Sequence, residues 1–520
     1  MMHDADTNYK KALIHLSKGE VDHALPLLEK IYASGGELAP KALFSILYCL
    51  TLTDKEAEGI ALLRDACLRY PKDDRWPAAL ASAWMKQGDL DKALACADQA
   101  LAINPDNETM FINRVCWLAG RCEDPVQSRQ LFESWGRRFM DPLTDRAEPL
   151  GEIDKNPNRR LKLAYISGDF KNHSVRYFIE PFLKGHDRSQ FEVHAFMTMP
   201  EDEVTGFLKP WVDVWHNVES MKDHALLSYI REQKIDILVD LSGHTEGHRL
   251  AVLAMRAAPV QVTWFGFMQT LGMKAIDWRL TDWGASPAGT DSHYTEKLYR
   301  LDCMAAYAPP LNTEAQYPSP YQRNGFVTMV SMNHTRKLGH EALQVWRDIL
   351  LDNPQAGLIV IGSYKDAEAS HASLAPRLIA AGLPMERVSI APRLTMLEFM
   401  GLASVADFAL DSFPISGGTT TLHALWMGLP ILALEDPQHG GMSSSTWTTL
   451  RGVQMHECVA TSLKDYRDLA SQWIQTPSLI DQLRERCRPA LAASVLMDHT
   501  ARVHDVENAY RDMWRTYMDA

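Results

Sequence analysis

The spacing of apolar residues changes character once along the chain. Up to about residue 140 they recur every third or fourth position, the period of amphipathic helices. Beyond about residue 160 they gather into short β-rich runs: LKLAYISGDF (161–170), FEVHAFMT (191–198), IDILVDLSG (235–243) and VQVTWFGF (260–267), separated by helical stretches such as KDHALLSYIREQ (222–233). NGFVTMVSM (324–332), GLIVIGS (357–363), VSIAP (388–392), ADFALDS (406–412) and PILAL (430–434) repeat the theme. Strands alternating with helices predict an α/β fold of parallel sheets covered on both faces. Two such series predict two Rossmann-like units with a cleft between them.

The helical region has a period of its own. VDHALPLLEKI (21–31), EGIALLRDACLRYP (58–71) and DKALACADQALAINP (91–105) place Ala24, Gly59 and Ala93 in register, 35 and 34 residues apart, the tetratricopeptide period. Small residues there let helices approach closely, Leu25, Ile60 and Leu94 are expected to fill the core beside them, and Gly19 and Gly88 mark tight turns. Three repeats follow, with a degenerate fourth helical pair from about 107 to 140 as a cap. The expected organisation is an all-α repeat region at 1–140 and a Pro- and charge-rich linker at 141–160. A first Rossmann-like domain at 161–323, a second at 324–490 and C-terminal helices at 491–520 complete it.

Composition narrows the function. A formal charge of −13 gives no broad attraction for nucleic acid or anionic lipid. The N-terminal residues lack a basic start followed by an apolar core, and nowhere do about eighteen uncharged apolar residues run together, so a cytoplasmic location without a membrane span is expected. The eight cysteines form no C-x-x-C pair and read as reduced thiols, with no metal site expected. Neither α/β unit carries G-x-G-x-x-G after its first strand, which argues against a dinucleotide oxidoreductase and leaves a nucleotide of another kind as the ligand.

DSFPISGGTTTLHALWMGLP (411–430) is the most informative stretch. A strand end, a glycine turn containing Gly418 and a helix opening on Thr419 and Thr420 make a ready anion site, because free helix N–H groups and hydroxyls point at phosphate oxygens. Lys337, a few residues past the strand VTMVSM, lies at the carboxyl end where open α/β sheets bind ligands. A lysine there neutralises a diphosphate leaving group. On the other unit, His173 follows LAYISGDF and His244 follows IDILVDL; either imidazole suits a general base or a group that orients an acceptor.

Taken in order, GDFKNHSVRYFIEPF, KIDILVDLSGHT, RAAPVQVTWFGFMQTLG, DWRLTD, SMNHTRK, DSFPISGGTTTLHALWMGLP and AYRDMWRTY resemble the O-GlcNAc transferase and SPINDLY family of nucleotide-sugar:protein glycosyltransferases, across nearly the whole chain. The resemblance implies a two-domain GT-B fold behind tetratricopeptide repeats, with inverting, metal-independent sugar transfer to Ser or Thr of a protein acceptor guided by the repeats. It matches Lys337 to the lysine on the donor diphosphate, Thr419 and Thr420 to the phosphate-binding helix start, and His173 to the histidine near the catalytic centre. Gly266, Thr270 and Gly272 fall on the loop that approaches sugar and acceptor.

Among the implied donor-binding positions, His423 stands where the family usually has an acidic residue that holds the ribose hydroxyls. Phe399 stands where a histidine usually packs on the base, with Leu394 nearby, and His334 occupies a variable polar position near the sugar. No cofactor is implied beyond the donor substrate: UDP-GlcNAc first, with GDP-fucose and UDP-glucose transfer to Asn as alternatives. The alternative of another class is a non-catalytic tetratricopeptide adaptor with a degenerate transferase half.

Overall fold

The computed structural model describes residues 2–53, 55–122, 124–154, 156–310, 318–436 and 441–519; residues 311–317 of the segment joining the two α/β units lie outside them. Eight helices form four hairpins: α1 (Met2–Ser17), α2 (Val21–Ser34), α3 (Ala39–Leu52), α4 (Glu56–Arg69), α5 (Arg75–Lys86), α6 (Leu90–Ile103), α7 (Glu108–Ala119) and α8 (Pro125–Trp135). Ala24 and Ala93 are fully buried, and a Cβ on Gly59 would stand 2.9 Å from the side chain of Leu47, so close helix approach is what these positions serve. The turns at Gly19 and Gly88 have φ of +74° and +77°. Leu25, Ile60 and Leu94 are only half-buried; the core is filled one helical turn further on, by Leu28, Leu63 and Ala97.

The first α/β lobe is a seven-stranded, all-parallel sheet: β1 (Leu161–Ser167), β2 (Phe191–Met197), β3 (Val214–Asn217), β4 (Ile237–Asp240), β5 (Val260–Thr263), β6 (Trp278–Asp282) and β7 (Lys297–Leu301), ordered 3-2-1-4-5-6-7. Leu161 pairs with Phe191 and Leu163 with Ile237, so β1 is central and its apolar residues meet both covering layers. The second lobe has six strands: β8 (Thr328–Ser331), β9 (Gly357–Ile361), β10 (Val388–Ala391), β11 (Phe408–Leu410), β12 (Ile431–Leu434) and β13 (Val459–Ala460), ordered 10-9-8-11-12-13. In each sheet the order reverses beside the first strand, between β1 and β4 and between β8 and β11. Those are the switch points at which loops diverge and leave a crevice.

Two connections add to the sequence reading. The segment at 141–160, read as a linker, is helical at its start. A π-helical turn (Gly136–Met140) and a short helix (Asp141–Thr144) continue α8, and Lys274 ties them to the first lobe through Asp141 (3.2 Å) and Asp145 (2.7 Å). The last helix (His499–Asp519) returns to the first lobe, burying Val503, Val506, Tyr510, Met513 and Trp514 in that lobe's core. There Tyr165 of β1 bonds the ring of His186 (2.7 Å), whose other nitrogen meets Glu507 of the returning helix (2.9 Å). No helix among the described residues is long and apolar enough to cross a membrane.

Candidate functional site

A cleft of about 450 Å³ opens between the lobes. Three sequence-predicted groups meet in it because each follows a strand flanking a switch point: His173 after β1, Lys337 after β8, and the Thr419–Trp426 helix after β11. Gly266, Gly418 and Thr419 line it as well. A Cβ on Gly266 would fall 1.6 Å from the carbonyl oxygen of Leu241, so only glycine lets this loop lie against the end of β4.

The three threonines have three different jobs. Thr419 faces the cleft at the first turn of the helix. Thr420, half-buried, donates to Asn333 Oδ1 (2.8 Å), whose amide donates in turn to Asp411 (2.8 Å), so this hydroxyl pins the turn to the β8 end. Thr421, fully buried, pairs with Thr446 (2.8 Å) and fixes the helix against its neighbour Gly441–Gly452.

Lys337 donates to the carbonyl of Ser416 (2.8 Å); burial pushes its pKa below the ordinary lysine value, against the pull of Asp411. Arg377 clamps the turn carrying it, donating to the carbonyls of Thr335 (3.0 Å) and Leu338 (2.8 Å), and the α5–α6 turn of the repeats rests against the same guanidinium at Gly88.

His173 is half-exposed in the cleft, its Nδ1 3.5 Å from Asp169 Oδ1 and 3.3 Å from the Val175 N–H. Burial lowers its pKa and Asp169 opposes the shift, while burial raises that of Asp169, so the imidazole is neutral near pH 7. Two tautomers compete there. With Asp169 drawing a proton to Nδ1, Nε2 is left as a free base; with Val175 donating, Nε2 carries the hydrogen.

Several predicted residues do not reach the cleft. His244 follows β4 as expected, but α8 covers it. Its ring stacks on Phe132, meets Trp135 edge-on at 4.5 Å and bonds the Leu271 carbonyl (3.0 Å), and burial pushes its pKa down to about 3. This is a packing histidine, not a base. His244→Ala is expected to cost about 2–3 kcal/mol of stability through the cavity it leaves while keeping turnover per folded molecule. Paired melting and activity assays check this, and a kcat loss beyond tenfold with the fold retained would restore the catalytic role.

Thr270 is buried on Glu296 (2.8 Å) and Thr295 (2.9 Å), and Gly272, at φ +74°, lies against the backbone of Phe132. Gly272 belongs to the junction with the repeats, and Thr270 to the interior of the first lobe. His423 is 2% exposed behind the cleft wall, bonded to Tyr307 (2.7 Å) and packed edge-on to Tyr177, with its pKa pushed to about 3 by burial. Phe399 and Leu394 are half-buried against the second lobe's core, and His334 is exposed, its Nδ1 accepting from the Arg336 N–H (3.2 Å). None of these four lines the cleft.

Other cleft residues were missed. Ser444, Ser445, Thr448 and Thr449 face it from the Gly441–Gly452 helix, where the run SSSTWTT was the available signal. Thr448 and Thr449 donate back to the Ser444 and Ser445 carbonyls (both 2.7 Å), which leaves their oxygens as acceptors for a ligand's hydroxyl or amide hydrogens. Across from them lie Asp282, held by the Ala285 and Met304 N–H groups, and the exposed Asp302.

Buried neutral histidines also set an acid limit. Burial depresses His216 to about 4, and His244 and His423 to about 3. A depressed histidine contributes stability that is complete above the ordinary value near 6.5 and is lost as pH falls toward its folded-state pKa. Each removes about 1.4 kcal/mol per pH unit across that window. The melting temperature is expected to hold level above pH 6.5 and drop steeply between 6.5 and 4; a flat profile there would mean these rings titrate normally.

Two parallel sheets facing across a cleft define the GT-B class, here with a helical repeat array preceding them in the chain. Within that class the chain belongs to glycosyl transferase family 41. The family's model matches residues 150–307 and 305–506, and a tetratricopeptide-repeat model matches 78–107. A Petunia hybrida protein described as a probable UDP-N-acetylglucosamine–peptide N-acetylglucosaminyltransferase SPINDLY is 33% identical over 432 residues, covering 81% of this chain and 45% of that relative. The Arabidopsis thaliana protein of the same description is 33% identical over 431 residues, 80% of this chain and 46% of its own. The solved structure of a Thermobaculum terrenum O-GlcNAc transferase mutant is similar with a TM-score of 0.88 at 30% identity, covering 100% of this chain and 98% of that one. The chain spans about half the length of the curated relatives it matches.

Proposed function

We propose that the chain transfers a sugar from a nucleoside diphosphosugar to serine or threonine hydroxyls of a protein acceptor, with inversion and without a metal. The observation that carries this reading is one cleft in which Lys337 and the start of the Thr419–Trp426 helix face His173 from the other lobe. The acceptor oxygen attacks the anomeric carbon from the side opposite the diphosphate. The sugar–oxygen bond to the β-phosphate breaks, and its electron pair stays on the phosphate. Lys337 and the helix N–H groups balance the charge that develops there, and the acceptor proton passes to His173 or to a water beside it.

GlcNAc is the favoured sugar, since the SPINDLY relatives are described as acting from UDP-N-acetylglucosamine. The repeats lead the acceptor polypeptide to the cleft.

The test is a thermal-shift panel of UDP, GDP, UDP-GlcNAc, UDP-glucose and GDP-fucose, followed by transfer assays with and without EDTA. A ligand at a hundred times its Kd adds about 2.7 kcal/mol of stability. A shift with UDP and UDP-GlcNAc and EDTA-insensitive transfer are expected. A shift with GDP and GDP-fucose alone reassigns the donor, donor binding without transfer to any acceptor favours the adaptor, and activity lost to EDTA and restored by Mg²⁺ overturns the metal-free step.

A further inference from the structure

Behind the glycine turn lies a carboxylate that the step above does not use. Asp411, at the end of β11, is 2% exposed. Among the described residues its side chain takes hydrogen bonds from neutral donors, the Gly417 N–H (2.8 Å) and the Asn333 amide (2.8 Å). Burying a carboxylate on neutral donors is costly, because desolvation penalises the charged form. An asparagine of the same shape could accept from Gly417 equally well, so what the aspartate adds is charge.

The counter-charge is Lys337, one peptide group away. Its ammonium donates to the carbonyl of Ser416, and Asp411 accepts from the N–H of Gly417, so the two ends of a single peptide unit are held by opposite charges. The dipole of that peptide is aligned with the pair, and each hydrogen bond strengthens the other. Arg336 on the same turn and burial both favour loss of the lysine proton, and Asp411 opposes them. Among the described residues, the other ionisable groups facing this cleft are His173, Asp282, Asp302 and the Cys303 thiol across it, with His334 on the lysine's own loop.

We propose that Asp411 is a positioning residue for Lys337: acting through the Ser416–Gly417 peptide, its carboxylate keeps the ammonium protonated and anchored until a nucleoside diphosphate arrives as the new counter-ion. A phosphate oxygen then replaces the Ser416 carbonyl as the acceptor. The proposal rests on the donor-cleft reading above.

The experiment is calorimetric titration of the full chain with UDP and with GDP from pH 6.5 to 9.5, for wild type, Asp411→Asn, Lys337→Arg and the double variant. Titration of the nucleobase itself is common to all four. In Asp411→Asn the alkaline loss of affinity is expected to begin about one pH unit lower, a roughly tenfold weakening relative to wild type in that interval. It should be absent near pH 6.5. Lys337→Arg, which stays charged, should show no lysine limb, and adding it to Asp411→Asn should abolish the shift. A purely structural role would weaken binding equally at every pH, and parallel profiles for wild type and Asp411→Asn overturn the proposal. If Asp411→Asn gives no cooperative melt, Asp411→Ser supplies an uncharged acceptor for Gly417; failure of both to fold assigns the carboxylate to the turn's stability and overturns the proposal too. Absence of any UDP or GDP binding by wild type overturns the donor-cleft reading itself, with this role.

Discussion

Lys337→Ala is expected to lower kcat by about 10²–10³-fold, the cost of removing one preorganised donor from a developing anion, and to abolish the thermal shift produced by nucleoside diphosphates. The ammonium is the cation that the second lobe brings to the cleft wall beside the Thr419–Trp426 helix start, and an alanine there leaves the Ser416 carbonyl without that donor. Steady-state kinetics with saturating acceptor, together with melting curves with and without UDP, check both parts. Full turnover in a folded Lys337→Ala protein would sink the leaving-group assignment. Loss of the shift with kcat retained would confine the lysine to ground-state binding.

Gly136→Ala should be among the most damaging single methyls in the molecule. A Cβ on Gly136 would stand 1.8 Å from the carbonyl oxygen of Gly272, and one on Gly272 would stand 2.3 Å from the carbonyl carbon of Phe132. Backbone meets backbone here, with no flexible side-chain end to give way, so the cost should reach or exceed the ~3 kcal/mol upper range of ordinary overpacking. The repeat array and the first lobe share a core at this junction, through Phe132, Trp135, Leu271 and Met273. Calorimetric unfolding is expected to fall by several degrees or to split into separate repeat and lobe transitions. A variant that melts as wild type would show that the junction can slide apart without loss.

Much of the architecture was legible because it is written in local periods. The 34–35-residue register marked the helical hairpins, and solid runs such as IDILVDL and GLIVIGS marked central strands that are apolar on both faces. The strands that escaped notice are those without such a run: VWHN, WRLTD, KLYRL and the two-residue Val459–Ala460, three of them at the sheet edges.

Strand-end logic placed His173, Lys337 and Thr419 in one cleft, since each depends only on the strand it follows. The same logic led His244 astray, because the element that covers it, α8, comes from the repeat region far away in sequence. His423 and Thr270 were assigned through resemblance alone. The first turns toward Tyr307 and the second toward Glu296, and both partners are long-range contacts that no periodicity records. Asp411 lay in plain view inside DSFPISGG, but its pairing across a peptide group required coordinates.

The returning His499–Asp519 helix bears on how the protein is made. Its Val503, Tyr510 and Trp514 belong to the core of the first lobe, whereas the whole second sheet lies between them and β7 in sequence. On the ribosome, therefore, the second lobe can close while the earlier-synthesised first lobe is still waiting for the His499–Asp519 helix to emerge. Vectorial synthesis reverses the order of completion: the first lobe is begun before the second and finished after it, and until the His499–Asp519 helix emerges its apolar groove is exposed to chaperones and to other nascent chains.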